Sequence, residues 1–137
     1  MKLEIQLQFN GDCREAFEFY SKVLGGTIET FVSYKEVESA NHASPEYGNK
    51  IAHARMSAGD LVIAGADMLT GYERPTGFKV FLQLNNEETA RNIFKQLAQD
   101  GEIVLPIQPT FWSASYGIVR DKFDIPWELN CSTSSVK

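Results

Sequence analysis

An internal duplication limits what this chain can fold into more than any other feature. Leu3, Ile5, Leu7 and Phe9 alternate with Glu4, Gln6, Gln8 and Asn10, and Phe78, Val80, Leu82 and Leu84 repeat the alternation 75 residues later. A period of two makes a strand with one apolar and one polar face. A helical stripe follows each copy, Ala16, Phe17, Tyr20, Val23 and Leu24 in the first and Ala90, Ile93, Phe94, Leu97 and Ala98 in the second. Phe19-Tyr20 maps onto Ile93-Phe94 at an offset of 74. Repetition of a strand followed by an amphipathic helix predicts two related modules.

The rest of each half reads as further strands. Asp12-Cys-Arg-Glu15 has the spacing of a helix capping box, Gly25-Gly26 stops the first helix and Gly101 the second. Thr27 to Tyr34 is a strand by its β-branched and aromatic content, Lys35 to Gly48 a polar loop, and Lys50 to Ala58 with Leu61 to Gly65 a hairpin around Gly59-Asp60. In the second half, strands are expected at Glu102 to Leu105, Ser115 to Arg120 and Ile125 to Asn130, the last two joined by a turn at Asp121 to Asp124. The expected class is α+β, with two tandem βαβββ modules in a single domain. Module one covers about 1–67, a connection 68–76, module two about 77–131 and a polar tail 132–137.

Composition bounds the partners. Of the 137 residues, 43% are hydrophobic, enough for a core without a metal or disulfide to hold it. Thirteen basic against eighteen acidic residues leave a net charge of −5, and the basic residues are scattered, which argues against nucleic acid or an anionic membrane. No signal peptide or spanning apolar run is visible, so the expected location is the cytoplasm. The two cysteines, Cys13 and Cys131, form no C-x-x-C pair and are expected to be free thiols, with Cys13, at a helix start, a weak redox candidate. No G-x-S-x-G elbow, P-loop or dinucleotide fingerprint is present.

The two βαβββ halves and the run Phe19-Tyr-Ser-Lys-Val-Leu-Gly-Gly26 resemble the vicinal oxygen chelate superfamily of glyoxalases, extradiol dioxygenases and antibiotic-resistance proteins. Phe9-Asn-Gly-Asp-Cys13, Ile51-Ala-His-Ala54, Thr110-Phe-Trp112, Tyr116-Gly117 and Asp121-Lys-Phe-Asp-Ile-Pro-Trp127 are similar to its PhnB-like branch. That branch is often labelled as related to a demethylubiquinone methyltransferase, yet no glycine-rich loop opens a helix after a strand here, and the label is set aside. The resemblance implies a glyoxalase-like curved mixed sheet whose concave side holds a small-molecule ligand. It also implies a homodimer, since such cups are commonly completed by a second half.

Metal-dependent members take ligands from the first and last strand of each half, and matching puts these places at Glu4, Ala64, Lys79 and Glu128. Ala64 has no ligand atom and an ammonium at Lys79 would repel a cation, so the usual four-ligand metal site is expected to be missing. Three alternatives stay open: a pairing of Lys79 with Glu128 that replaces the metal's charge, a divalent metal held by Glu4, His53 and Glu128, or neither. His53 and Glu128 are the catalytic candidates. The ligand-binding candidates are Gln6, Gln8, His53, Lys79, Gln108, Phe111, Trp112, Tyr116 and Glu128. The aromatics follow Pro106-Ile-Gln-Pro109, expected to run across the cup mouth, and would stack on a flat ligand while Gln108 orients it. His42, in the long loop, has no role. The expected function is that of a small-molecule binding protein, with a neutral or cationic ligand favoured by the acidic balance. The alternative is a metal-dependent lyase, isomerase or dioxygenase.

Overall fold

The computed structural model describes residues 1–37 and 47–132; His42, most of the long loop and the tail beyond Ser132 lie outside the described residues. The chain divides into two compact units, Met1–Glu73 and Arg74–Lys137. The first contains β1 (Gln6–Phe9), α1 (Cys13–Leu24), β2 (Thr27–Ser33), a 3-10 turn (Tyr34–Glu36), β3 (Ile51–Ala58) and β4 (Leu61–Asp67). The second contains β5 (Val80–Leu84), α2 (Glu87–Ala98), β6 (Glu102–Gln108), β7 (Ser115–Arg120) and β8 (Pro126–Cys131). Each is a four-stranded mixed sheet, in the orders β1-β4-β3-β2 and β5-β8-β7-β6. The first and last strands of each module run parallel and the other neighbours antiparallel. The α+β class and the two tandem modules are as the sequence predicts. Among the described residues no helix is long and apolar enough to cross a membrane.

One face of each sheet is buried by its helix. The α1 stripe of Ala16, Phe17, Tyr20 and Val23 is buried, and the Phe17 ring meets Phe9 edge-on at 6.0 Å between centroids. A single glycine in each sheet lets the helix approach. A Cβ at Gly65 would stand 2.8 Å from Cε1 of Phe17, and one at Gly117 would stand 2.7 Å from Cε2 of Phe94 in α2. Residues paired across strands share a face. The rung Leu7, Gly65, Ala54, Phe31 therefore lies under α1, and Leu82, Leu129, Gly117 under α2.

Four local expectations change, each for a physical reason. The capping box at Asp12 does not form. The Cys13 N–H donates instead to Oδ1 of Asp67 at 2.9 Å, whose Oδ2 takes the Ile51 N–H at 2.8 Å, so one buried carboxylate ties α1 to β3 and β4. β1 is short, leaving Leu3 and Ile5 exposed. β2 ends at Ser33 because Tyr34 begins the 3-10 turn, where Oε2 of Glu36 accepts the Ser33 N–H at 3.1 Å. β6 runs to Gln108 instead of stopping at Leu105, so Pro106 to Gln108 is strand and not a connection across a mouth. An edge strand tolerates Pro106, because the ladder register shifts between Leu105 and Gln108 and needs no N–H there.

Candidate functional site

The sheet face turned away from the helix carries the polar side chains in both modules. In module one, Gln6, Ala64, Arg55 and Thr30 form one rung of this face. Gln8 with Ala66, and His53 with Val32, stand on the same face, so Gln6, Gln8 and His53 are brought together. The charge at its centre was missed by sequence reasoning. Arg55 bonds Glu4 through Nη1 and Oε1 of Glu29 through Nε at 3.0 Å, while Lys2 approaches Glu4 at 3.3 Å. The bond to Arg55 holds the Glu4 carboxyl below its usual range, and Glu29 is lowered by Ser57 first and Arg55 second. Alternation with His53 along β3 was the available signal for Arg55.

Module two repeats the layout with its charges placed differently. Register makes Phe81 and Glu128 partners as it does Gln6 and Ala64, so Ala64 and Glu128 occupy equivalent places, as do Glu4 and Lys79, two residues before Gln6 and Phe81. Three rungs cross the helix-free face: Gln83, Asn130, Tyr116 and Gln108; then Phe81, Glu128, Ile118 and Leu105; then Pro126, Arg120 and Glu102, with Lys79 alongside. Nζ of Lys79 lies 3.7 Å from Oε1 of Glu128. The Tyr116 hydroxyl also bonds Glu128, and burial together with this bond pushes the Tyr116 phenol above its ordinary value.

Amides complete the upper rung. Nδ2 of Asn130 donates to Oε1 of Gln83 at 3.1 Å, and Nε2 of Gln83 to Oγ of Ser132 at 3.4 Å. Oδ1 of Asn130 is buried without a partner among the described residues. Neither Asn130 nor Gln83 was singled out from the sequence, although Gln83 lies 75 residues after Gln8. Beside this rung the Trp112 ring meets Tyr116 edge-on at 5.2 Å between centroids, with Phe111 against Trp112 at 4.7 Å. Trp112 is 48% exposed and Phe111 97%. The turn that carries them is pinned by buried Ser113, whose Oγ accepts the N–H of Ser115 at 3.2 Å and of Cys131 at 3.3 Å.

The donor set does not fit a four-ligand metal site. Ala64 offers no donor, Lys79 is a cation, Glu4 is held by Arg55 and Lys2, and Glu128 by Lys79 and Tyr116. No group of three or more His, Cys, Asp or Glu residues placed to hold an ion occurs among the described residues. Cys13 is not an activated thiol. It is fully buried, and desolvation with the nearby Asp67 and Asp12 carboxylates pushes its pKa up, the opposite of what a redox cysteine requires. Cys131 is buried as well, and both are free.

Comparison with known proteins gives a consistent picture. Residues 4–129 match the family described as Glyoxalase/Bleomycin resistance protein/Dioxygenase superfamily. Protein YjdN of Escherichia coli K12 is 31% identical over 95% of each chain. The crystal structure of PA1353 from Pseudomonas aeruginosa is 34% identical, with a TM-score of 0.85 over 96% of this chain and 98% of that one. A PhnB protein from Bacillus cereus, at 22% identity, shares the fold with a TM-score of 0.82 over 96% of this chain and 100% of its own.

Proposed function

The chain belongs to the glyoxalase/bleomycin resistance protein/dioxygenase superfamily, and from that premise we propose that it is a PhnB-like protein binding a small molecule on the helix-free face of a module's sheet, without the usual four-ligand metal. The observation that carries this reading is the ion pair of Lys79 with Glu128, set at a position where metal-dependent relatives would use a ligand. An ammonium supplies fixed positive charge there and gives the half-buried carboxylate a partner without a cation from solution. Trp112, Phe111 and Tyr116 offer ring faces and edges to a flat or apolar ligand body. Gln83, Gln108 and Asn130 offer neutral donors and acceptors that fix its orientation. In module one, Gln6, Gln8 and His53 play the same orienting part around Arg55.

The protein acts in the cytoplasm as a homodimer on this reading, since the β-sheet edges of each module invite pairing with a second chain. The test is titration of the full chain with a panel of flat aromatic compounds of differing head group, followed by calorimetry. Saturable binding at one equivalent per module or per chain, weakened about tenfold in Trp112→Ala with an unchanged far-UV spectrum, is the expected result. Binding equally tight in Trp112→Ala and Tyr116→Phe would overturn the assignment.

A further inference from the structure

The fold gathers cations that the sequence scatters. Below the Phe81–Glu128 rung, at the end of the helix-free face of module two, lies a cavity of about 290 Å³. Phe78, Val104, Ile118 and Pro126 line it with apolar surface, and its charged lining groups are Lys79 and Arg120, with no carboxylate among the lining residues. Arg120 is held rather than free to swing: its Nη1 donates to the carbonyl oxygens of Pro75 at 2.9 Å and of Asp124 at 2.6 Å. Both acceptors are neutral, so they orient the guanidinium without cancelling its charge, and Glu102, its cross-strand partner on β6, is engaged by Arg74 at 3.7 Å. Lys79 approaches Glu128 only at 3.7 Å and is 42% exposed, so its ammonium retains donors for a second partner.

We propose that this cavity is an anion subsite, which seats the carboxylate or phosphonate head of a small amphiphilic ligand between Lys79 and Arg120 while its apolar body lies on Phe78, Ile118 and Pro126. The inference rests on the small-molecule reading above and names the ligand class for the same face. It replaces the neutral or cationic ligand that the overall acidic balance favours, because recognition is decided by the charges that line a cavity and not by the chain's sum. The volume is at the lower bound of small-molecule pockets, so the head and first part of the body fit here. The strand rise of about 3.3 Å per residue sets the Tyr116 rung roughly 13 Å further along, and the remainder of a longer ligand runs toward Trp112.

Four probes of one chain length separate the head groups: hexanoate, hexylphosphonate, hexylammonium and 1-hexanol, each titrated into the full chain and followed by amide chemical shifts. The two anions are expected to move amides of 76–80 and 118–120, with the other two probes weaker by about tenfold or more. Lys79→Gln is expected to weaken both anions about tenfold while leaving hexanol unchanged, and added salt to weaken the anions alone. The ratio of hexanoate to hexylphosphonate tells which acid the subsite takes. Hexylammonium or hexanol binding as tightly as the anions, no anion binding, or indifference to Lys79→Gln would overturn the proposal; Arg120→Gln adds a second reading if its turn still folds. Loss of anion binding with aromatic binding at Trp112 intact would sink the subsite alone. Anion binding without any effect of Trp112→Ala on aromatic ligands would sink the wider binding face and leave the subsite standing.

Discussion

Replacing Asp121 by asparagine isolates what holds the lower end of the candidate site together. Asp121 is buried at the start of the turn between β7 and β8. Its Oδ1 accepts the N–H of Phe123 at 2.8 Å and of Ile125 at 3.0 Å, and its Oδ2 accepts the indole N–H of Trp127 at 2.8 Å. Asparagine keeps one oxygen for the two backbone donors but turns an NH2 group against the indole N–H. One hydrogen bond to a charged acceptor is lost and two donors are left facing each other without water, which costs about 2–4 kcal/mol. Trp127→Phe removes the indole donor at the cost of a cavity, and in that background Asp121→Asn loses no indole bond. A double-mutant cycle by urea unfolding, followed by far-UV circular dichroism, is expected to give a coupling energy of about 1.5–3 kcal/mol. A cycle that is additive, or an Asp121→Asn variant within about 0.5 kcal/mol of wild type, would refute the reasoning.

Other consequences follow from burial and charge. Gly117→Ala drives a methyl into Phe94 and the backbone of Ile107, 2.9 Å from its Cα, and is expected to destabilise by about 1–3 kcal/mol in the same assay. Cys13 in the native chain is expected to resist a thiol reagent until the protein unfolds; prompt reaction under native conditions would contradict its burial and raised pKa. Tyr116 and Tyr34 both have phenols raised in the folded state, Tyr116 by burial and Glu128, Tyr34 by burial and Asp67. Their stabilising contribution is therefore complete below the ordinary tyrosine value near pH ~10 and is lost as pH climbs through the raised values. Tyr116→Phe should remove one late-titrating phenol from the ultraviolet titration and lessen the alkaline loss of stability.

The modular plan could be read from the chain because it is written in periodicity. The alternation around Ile5 recurs around Val80, and the register then makes Glu4 equivalent to Lys79 and Ala64 to Glu128. The Lys79–Glu128 contact was legible for the same reason: Glu128 alternates with Trp127 and Leu129, so it had to face away from the core. What periodicity does not carry is which distant side chains converge. Arg55 meets Glu4 across 51 residues, and Arg120 reaches the carbonyl of Pro75 across 45. Asp67 serves Cys13 across 54 residues in place of a local cap, a competition between near and far acceptors that no local motif records. Sequence alone puts Pro106 in a segment across a mouth rather than in a strand, because its edge position depends on strand order, which is a property of the folded module.

Binding of divalent ions to the purified chain tests the central claim most directly. Wild-type protein, stripped with chelator and dialysed against manganese, zinc, nickel or iron, is analysed for metal beside Glu128→Ala and Lys79→Gln variants. With Lys79 occupying the place of the metal's charge, wild type is expected to retain no stoichiometric ion, as is Glu128→Ala. One ion per chain in wild type, lost in Glu128→Ala, would contradict the account.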